Sequence, residues 1–228
     1  FLMGRLEFWV GEASVRGTMR LYEELDRDVL QSEFNLSPQK RRDMAEFLAW
    51  NVMPENRDYL YHHYFDNCAT RIRDAIDKQV DGPFAKAASD PSRTTLRGHT
   101  HRHTQRNPYI DVLLSGWMND DIDQPITEWE DMFLPGELLT QVEALEYKNE
   151  SGQMVKLVPK TEVIYKSTRT EPPNMPASKW WWTGALGIIL GLLGFGFARK
   201  HQETEGAKWR RLLGTHHFFI GLLYGIPG

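Results

Sequence analysis

The residues best suited to chemistry lie in the stretch YLYHHYFDNCATRIRDAID, residues 59 to 77. It holds the single cysteine of the chain, Cys68, directly behind His62, His63, Asp66 and Asn67. A thiol reacts as its thiolate. A helix N-terminus favours that form because its unpaired N–H groups carry partial positive charge. Arg71 and Arg73 bring further cationic charge close by. A histidine within reach, His63, could take the thiol proton and complete a Cys–His pair for acyl transfer. The N–H groups of the same helix start could receive an oxyanion. The opposing reading is that Cys68 is a small hydrophobe filling a contact between a helix and the core. Residue types alone leave both open.

Other clusters carry less. HTHRH places His99, His101 and His103 on one face if extended, as metal ligands would be, but no fixed acid lies beside them and a solvated loop explains them as well. Asp120, Asp121 and Asp123 could meet a cation, or simply form a polar turn. Arg97 could bind a phosphate or carboxylate, or make a structural ion pair. No metal and no cofactor is expected. A net charge of -4 over 228 residues argues against a nucleic-acid partner. One cysteine excludes an internal disulfide framework and a zinc ribbon.

These residues need elements to place them. Ala13 to Phe34 has a helical apolar stripe. Ser37 and Pro38 mark the start of a second helix that Pro54 stops, with Met44, Phe47, Leu48 and Val52 facing inward. RDYLYHHYF alternates as a strand should, giving His63 the parity of Tyr61 and Phe65. Asp66 or Asn67 can cap a helix from Cys68 to Val80, ended by Gly82. Cys68, Ile72 and Ala75 then share a face, and the thiol points along the packed side. Beyond Gly82 the chain reads as polar and irregular until a short helix at Pro135 to Tyr147, followed by two β runs split by Pro159.

The C-terminal third has a different composition. TRTEPPNMPASK is a proline-dense linker, and Trp180 to Ala198 follows without a charged residue. As a helix that run would be about 28 Å long, which predicts a transmembrane span. The tryptophans Trp180 to Trp182 suit one interface, and Arg199, Lys200, Lys208, Arg210 and Arg211 suit a cytoplasmic loop. A second span is expected to begin near Thr215. The opening on Phe1 and the closing apolar run suggest an internal piece of a longer protein.

The segment around Cys68 resembles the hallmark of the Lnb-type lipoprotein N-acyltransferase family, whose N-terminal periplasmic domain carries an aromatic-rich run followed by Asp-Asn-Cys, Thr, Arg and Arg. LDRDVLQSEFNLS before it, and TTLR, GWMNDDIDQP and EDMFLP after it, match in order, so the resemblance covers roughly residues 1 to 145. The Asn-Cys helix start is also similar to permuted papain-like, NlpC-type enzymes. The resemblance implies an α+β fold: a truncated papain-like (NlpC-type) domain followed by C-terminal transmembrane helices. The expected division is a periplasmic domain at 1–147, a β-rich tail and linker at 148–179, a span at 180–198, a cytoplasmic loop at 199–214 and the start of a second span at 215–228. It further implies a bacterial inner-membrane enzyme whose main domain is periplasmic. Cys68 would take an acyl chain from a membrane phospholipid as a thioester and pass it to a diacylglyceryl lipoprotein. Cys68, Asn67 and His63 are the implied catalytic residues, and Arg71 and Arg97 the substrate-binding ones. In the permuted papain-like group the partner histidine stands on a strand upstream of the cysteine. Here His62 and His63 are the nearby substitutes. The competing expectations are a cell-wall amidase or peptidase, and a non-catalytic membrane-associated binding or assembly domain in which Cys68 is packing.

Overall fold

The computed structural model describes residues 6–177, 180–204 and 215–216; in its last helix, side chains are described for 184, 185 and 187–200. Two compact units emerge from the contacts. One takes Phe1–Arg93 and Pro125–Glu171; the other takes Thr94–Gln124 and the described residues from Pro172 on.

In the first unit, β1 (Leu6–Trp9) leads to α1 (Val15–Glu24) and β2 (Val29–Ser32). The single helix expected over Ala13 to Phe34 is thus broken. Ser14 caps α1 by accepting from the Gly17 N–H, and the break comes at Asp26, whose φ of 49° is left-handed. Asp26 and Asp28 would sit badly at a helix C-terminus, where the dipole repels anions. Instead their carboxylates clasp the far end of the chain: Asp26 accepts from the Thr168 N–H (2.9 Å) and hydroxyl (2.6 Å), and Asp28 from the Ser167 N–H (2.7 Å). The clasp continues the antiparallel pairing of β2 with β6 (Thr161–Tyr165).

The Thr168 hydrogen bonds hold the Asp26 carboxyl below its ordinary 3.8, and the Ser167 N–H does the same for Asp28. A depressed folded-state pKa gives stability that is complete above the ordinary value and lost as pH falls through the lowered one. Amide exchange at Ser167 and Thr168 is therefore expected to accelerate, beyond the intrinsic rate, only below about pH 3.8. Protection that stays constant to pH 2 would show the clasp to be dispensable.

Ser37 and Pro38 start α2 (Pro38–Asn51) as their types dictate. Of its expected inner face, Met44, Phe47 and Val52 are half-buried, while Leu48 is exposed. The predicted strand shortens to β3 (Asp58–Tyr61), antiparallel to β1 in the register Leu6–Tyr61 and Phe8–Tyr59. Next comes α3 (Cys68–Gln79), whose buried side carries Ala69, Arg73 and Ile76 at i, i+4 and i+7. Gly82, with φ of 84°, turns the chain into α4 (Pro83–Ala87), and its N–H closes α3 on the Asp77 carbonyl at 2.9 Å. Later in the chain, α7 (Glu128–Asp131), α8 (Pro135–Ala144), β4 (Glu146–Lys148) and β5 (Met154–Lys156) complete this unit. Its core gathers Ile76, Val80, Phe84, Met132, Val142 and Leu157. Fully burying one such large side chain stabilises the fold by about 1.5–3 kcal/mol.

The second unit contains α5 (Leu96–Thr104), α6 (Pro108–Trp117), a 3-10 turn at Asp120–Asp123, and α9 (Trp180–Thr204). The stretch read as an irregular loop is therefore helical. Thr95 and Asn107 cap the two helices, accepting from Gly98 and Ile110. In a helix, His99, His101 and His103 cannot share one face. His99 is buried and accepts from Arg102 Nε at 3.0 Å, His101 lies 2.6 Å from the buried Asp111, and His103 meets the His99 carbonyl. Among the described residues no group of three His, Cys, Asp or Glu is placed to hold a metal.

Two expectations of fold are corrected here. Among the described residues the strands make three separate two-stranded antiparallel sheets (β1 with β3, β2 with β6, β4 with β5). The α+β class stands, and the truncated papain-like, NlpC-type domain does not. The C-terminal transmembrane helices are corrected as well: among the described residues no helix is long and apolar enough to cross a membrane. The membrane anchor and the inner-membrane location rested on that span and fall with it. The proposed cytoplasmic loop and second span lie outside the described residues, apart from 199–204 and 215–216.

Candidate functional site

The link between β3 and α3 is a tight turn. His62 and Asp66 exchange backbone hydrogen bonds (2.9 and 3.0 Å), and His62 Nδ1 accepts from the N–H groups of Tyr64 and Phe65. That bridge ends the predicted strand at Tyr61. It also delivers Asn67 to the N-cap of α3. Asn67 Oδ1 accepts from the Ala69 and Thr70 N–H groups, and its Nδ2 donates to the His63 carbonyl (2.8 Å) and the Phe133 carbonyl (3.0 Å). Thr70 returns the cap by accepting from the Asn67 N–H at 2.8 Å. The Asn67 side chain is thus fully occupied as a structural cap.

Cys68 is the first residue of α3 and is exposed, not on the packed side as its periodicity suggested. The packed side is set by Ala69, one residue on, which is 2% exposed. α3 reaches the β1–β3 pair through Arg71. Arg71, three residues after Cys68 and on the same helical face, stacks its guanidinium 3.7 Å from the Tyr59 ring centre. Phe8 stacks on Tyr61 with ring centres 4.4 Å apart. Burial pushes the Tyr59 and Tyr61 phenols up, and the charge of Cys68 adds to this at both, while Arg71 opposes it at Tyr59.

His63 does not meet Cys68 directly. Its Nδ1 lies 3.3 Å from the Tyr61 hydroxyl, and its ring packs edge-on to Tyr64 and Phe133. Desolvation among these rings, then the charge of His62, holds His63 below its ordinary 6.5, so it is neutral at pH 7. Neither arginine near the thiol is a free cation. Arg71 forks onto Asp66 at 2.8 and 3.3 Å, and Arg73 pairs with Asp74 while donating to the Trp129 carbonyl.

Residues 1–102 match the family model described as the Lnb N-terminal periplasmic domain. The match includes β1, β3, the turn and Cys68. No curated protein and no solved structure matches the chain. The match leaves the similarity to papain-like, NlpC-type enzymes without support.

Arg97, the second candidate for substrate binding, belongs to the other unit. It donates to Asp123 (2.6 Å) and to the carbonyls of Ser115, Met118 and Asn119 at 2.8–3.2 Å. It closes the loop after α6. Arg97→Ala is therefore expected to cost about 2 kcal/mol of stability in urea unfolding, because three carbonyls and a carboxylate lose their donor. An unchanged midpoint would return Arg97 to the role of a ligand-binding residue.

Sequence reasoning overlooked Tyr61 and Phe133. The parity of Tyr61 with His63 was the available signal for the first. The second caps Asn67 from 66 positions away, and no local pattern announces it. A cavity of about 180 Å³ lined by Asn35, Ser37, Lys40, Tyr147 and Glu150 includes none of the candidate residues.

Proposed function

We propose that the N-terminal unit is a cysteine-dependent amide hydrolase acting on cell-wall peptides. Its support is the exposed thiol of Cys68 in the first turn of a firmly capped 12-residue helix. A nucleophile must reach its substrate, and a packing cysteine has no reason to stand in solvent. With the Ala69 and Thr70 N–H groups taken by Asn67, the Cys68 N–H remains in the first turn to meet an oxyanion. The description of the matched family as a periplasmic domain motivates the choice of cell-wall peptides, since that polymer shares the compartment.

The membrane-anchored N-acyltransferase reading is withdrawn. It needed a span, and among the described residues no helix provides one. A second reading keeps support from a specific observation. Arg71 and Arg73 are both paired, and two of the helix-start donors are spent on the cap, as a non-catalytic binding or assembly domain would have them. Phe8, Trp9, Leu60 and Phe65 would then serve as its exposed contact surface.

Incubation of the purified protein with muropeptides, followed by mass spectrometry, separates the two. The hydrolase releases amide-cleavage products and leaves a transient acyl adduct on Cys68. Binding without cleavage supports the assembly reading, and turnover of a phospholipid ester in place of an amide overturns both.

A further inference from the structure

We infer that the outer edge of β3 is a strand-addition site for an extended peptide. The inference goes beyond the hydrolase reading, because the edge would hold a peptide whether or not Cys68 cleaves it. The direction of the backbone groups carries it. Val10 donates its N–H to the Arg57 carbonyl at 3.0 Å, so these residues form a hydrogen-bonded pair of the β1–β3 ladder. Bonded and open pairs alternate along an antiparallel ladder. Phe8–Tyr59 and Leu6–Tyr61 therefore bond across it, while Asp58 and Leu60 turn their N–H and C=O groups outward. β3 has β1 on one side and no described strand on the other, and no described residue takes these outward groups. The edge is also reachable, since Asp58 is exposed and Leu60 is 58% exposed. Such edges are usually blocked by a proline, a lysine or a bulge. β3 reads Asp-Tyr-Leu-Tyr and pairs with β1 without a register shift.

The next outward-facing residue shows what this edge accepts. His62, two residues after Leu60, exchanges both of its backbone hydrogen bonds with Asp66, at 2.9 and 3.0 Å, in an antiparallel bridge. The chain fills that rung with its own returning segment and leaves the rungs at Leu60 and Asp58 open. The filled rung belongs to the turn that starts α3 at Cys68. A peptide adding antiparallel to β3 continues the line of Asp66, with its own side chains beside Leu60 and Asp58. Main-chain hydrogen bonds give such a complex its affinity, and the flanking side chains its selectivity. A second copy of the chain fits the edge poorly. Two copies joined here would share one four-residue strand, far short of the roughly 1,200 Å² that a stable interface buries.

The test is an amide NMR titration with acetyl-Thr-Val-Thr-Val-Thr-Val-Thr-amide as the probe. Residues opposed in an antiparallel pair share a face, so the apolar valines are expected opposite Leu60 and Asp58, with their N–H groups toward β3. The expected result is a shift of the Leu60 and Asp58 amides, with slowed hydrogen exchange at both. N-methylation of the valines then weakens binding at least about tenfold, and N-methylation of the threonines leaves it unchanged. Leu60→Pro removes an outward N–H that the β1–β3 ladder does not use, and it matches that loss. Glu7→Pro, the same change on the far edge of β1, keeps binding. The methylated peptides decide the matter even where a proline variant fails to fold. Equal binding of the two methylated peptides means contact through side chains alone and overturns the site. Loss in Glu7→Pro with Leu60→Pro intact overturns it too, as does a parent peptide that does not bind. Dimerisation that Leu60→Pro abolishes gives the edge to a second copy and overturns the peptide assignment. Binding of the probe without muropeptide cleavage upholds the edge and removes only the hydrolase reading.

Discussion

Cys68→Ser is expected to lose at least about 10³-fold in muropeptide cleavage while unfolding at the parent midpoint. The loss follows from chemistry. A serine hydroxyl has almost no anionic character at neutral pH, and His63, whose Nδ1 meets the Tyr61 hydroxyl, makes no hydrogen bond to residue 68 as a base for a harder nucleophile. The retained midpoint follows from placement. The side chain is exposed at the first residue of α3, where exchanging sulfur for oxygen leaves no buried group unpaired. Thermal unfolding beside the cleavage assay reads both. A cysteine that served packing would give the reverse pattern, a lower midpoint with activity kept, and that result would end the nucleophile assignment.

The second large effect belongs to Asn67. Asn67→Ala is expected to destabilise the N-terminal unit by about 3 kcal/mol in urea unfolding, more than an ordinary N-cap. The side chain is 5% exposed and makes four hydrogen bonds. Its loss orphans the Ala69 and Thr70 N–H groups and two carbonyls, all in protein surroundings. Asn67→Asp separates the cap from the rest, because it still accepts from the helix N–H groups but cannot donate to His63 and Phe133. It should fall between parent and alanine. A change below 1 kcal/mol for Asn67→Ala would mean that water replaces the cap at little cost.

Local chemistry made much of the fold legible. Ser37-Pro38 fixed the start of α2, the Asp-Asn-Cys segment the start of α3, and Gly82 its end, because caps, proline and left-handed glycine act within a turn of the chain. The β runs on either side of Pro159 also appear. Other readings failed where tertiary partners decide. The helix over Ala13 to Phe34 breaks because Asp28 and Asp26 find Ser167 and Thr168, 139 and 142 residues away. HTHRH looked like a loop because its inward residues are histidine and arginine, which become core only by pairing with one another, with Asp111 and with backbone carbonyls. At the site, periodicity put Cys68 on the right helix and on the wrong side. The stripe Cys68, Ile72 and Ala75 is apolar by type, but the tertiary contacts bury the neighbouring stripe that begins at Ala69. Arg71 and Arg73 carry the expected charge, and Asp66 and Asp74 neutralise it.

The hydrogen bond from Asn67 to the Phe133 carbonyl bears on the order in which the molecule is made. A chain emerging from the ribosome offers Cys68 long before residue 133, and β2 must wait for β6, some 130 positions later. Until then the helix start that holds the thiol is secured only by its local contacts, and the loop-closure cost of the distant ones has yet to be met. Residues 94–124, which fall in the other unit, are synthesised in between. The nascent chain thus carries a solvent-facing cysteine without its finished frame until residues 133 and 165 have been added. Pulse-labelling of ribosome-bound chains with a thiol reagent would trace that interval directly, with the labelling rate of Cys68 changing once the chain has passed residues 133 and 165.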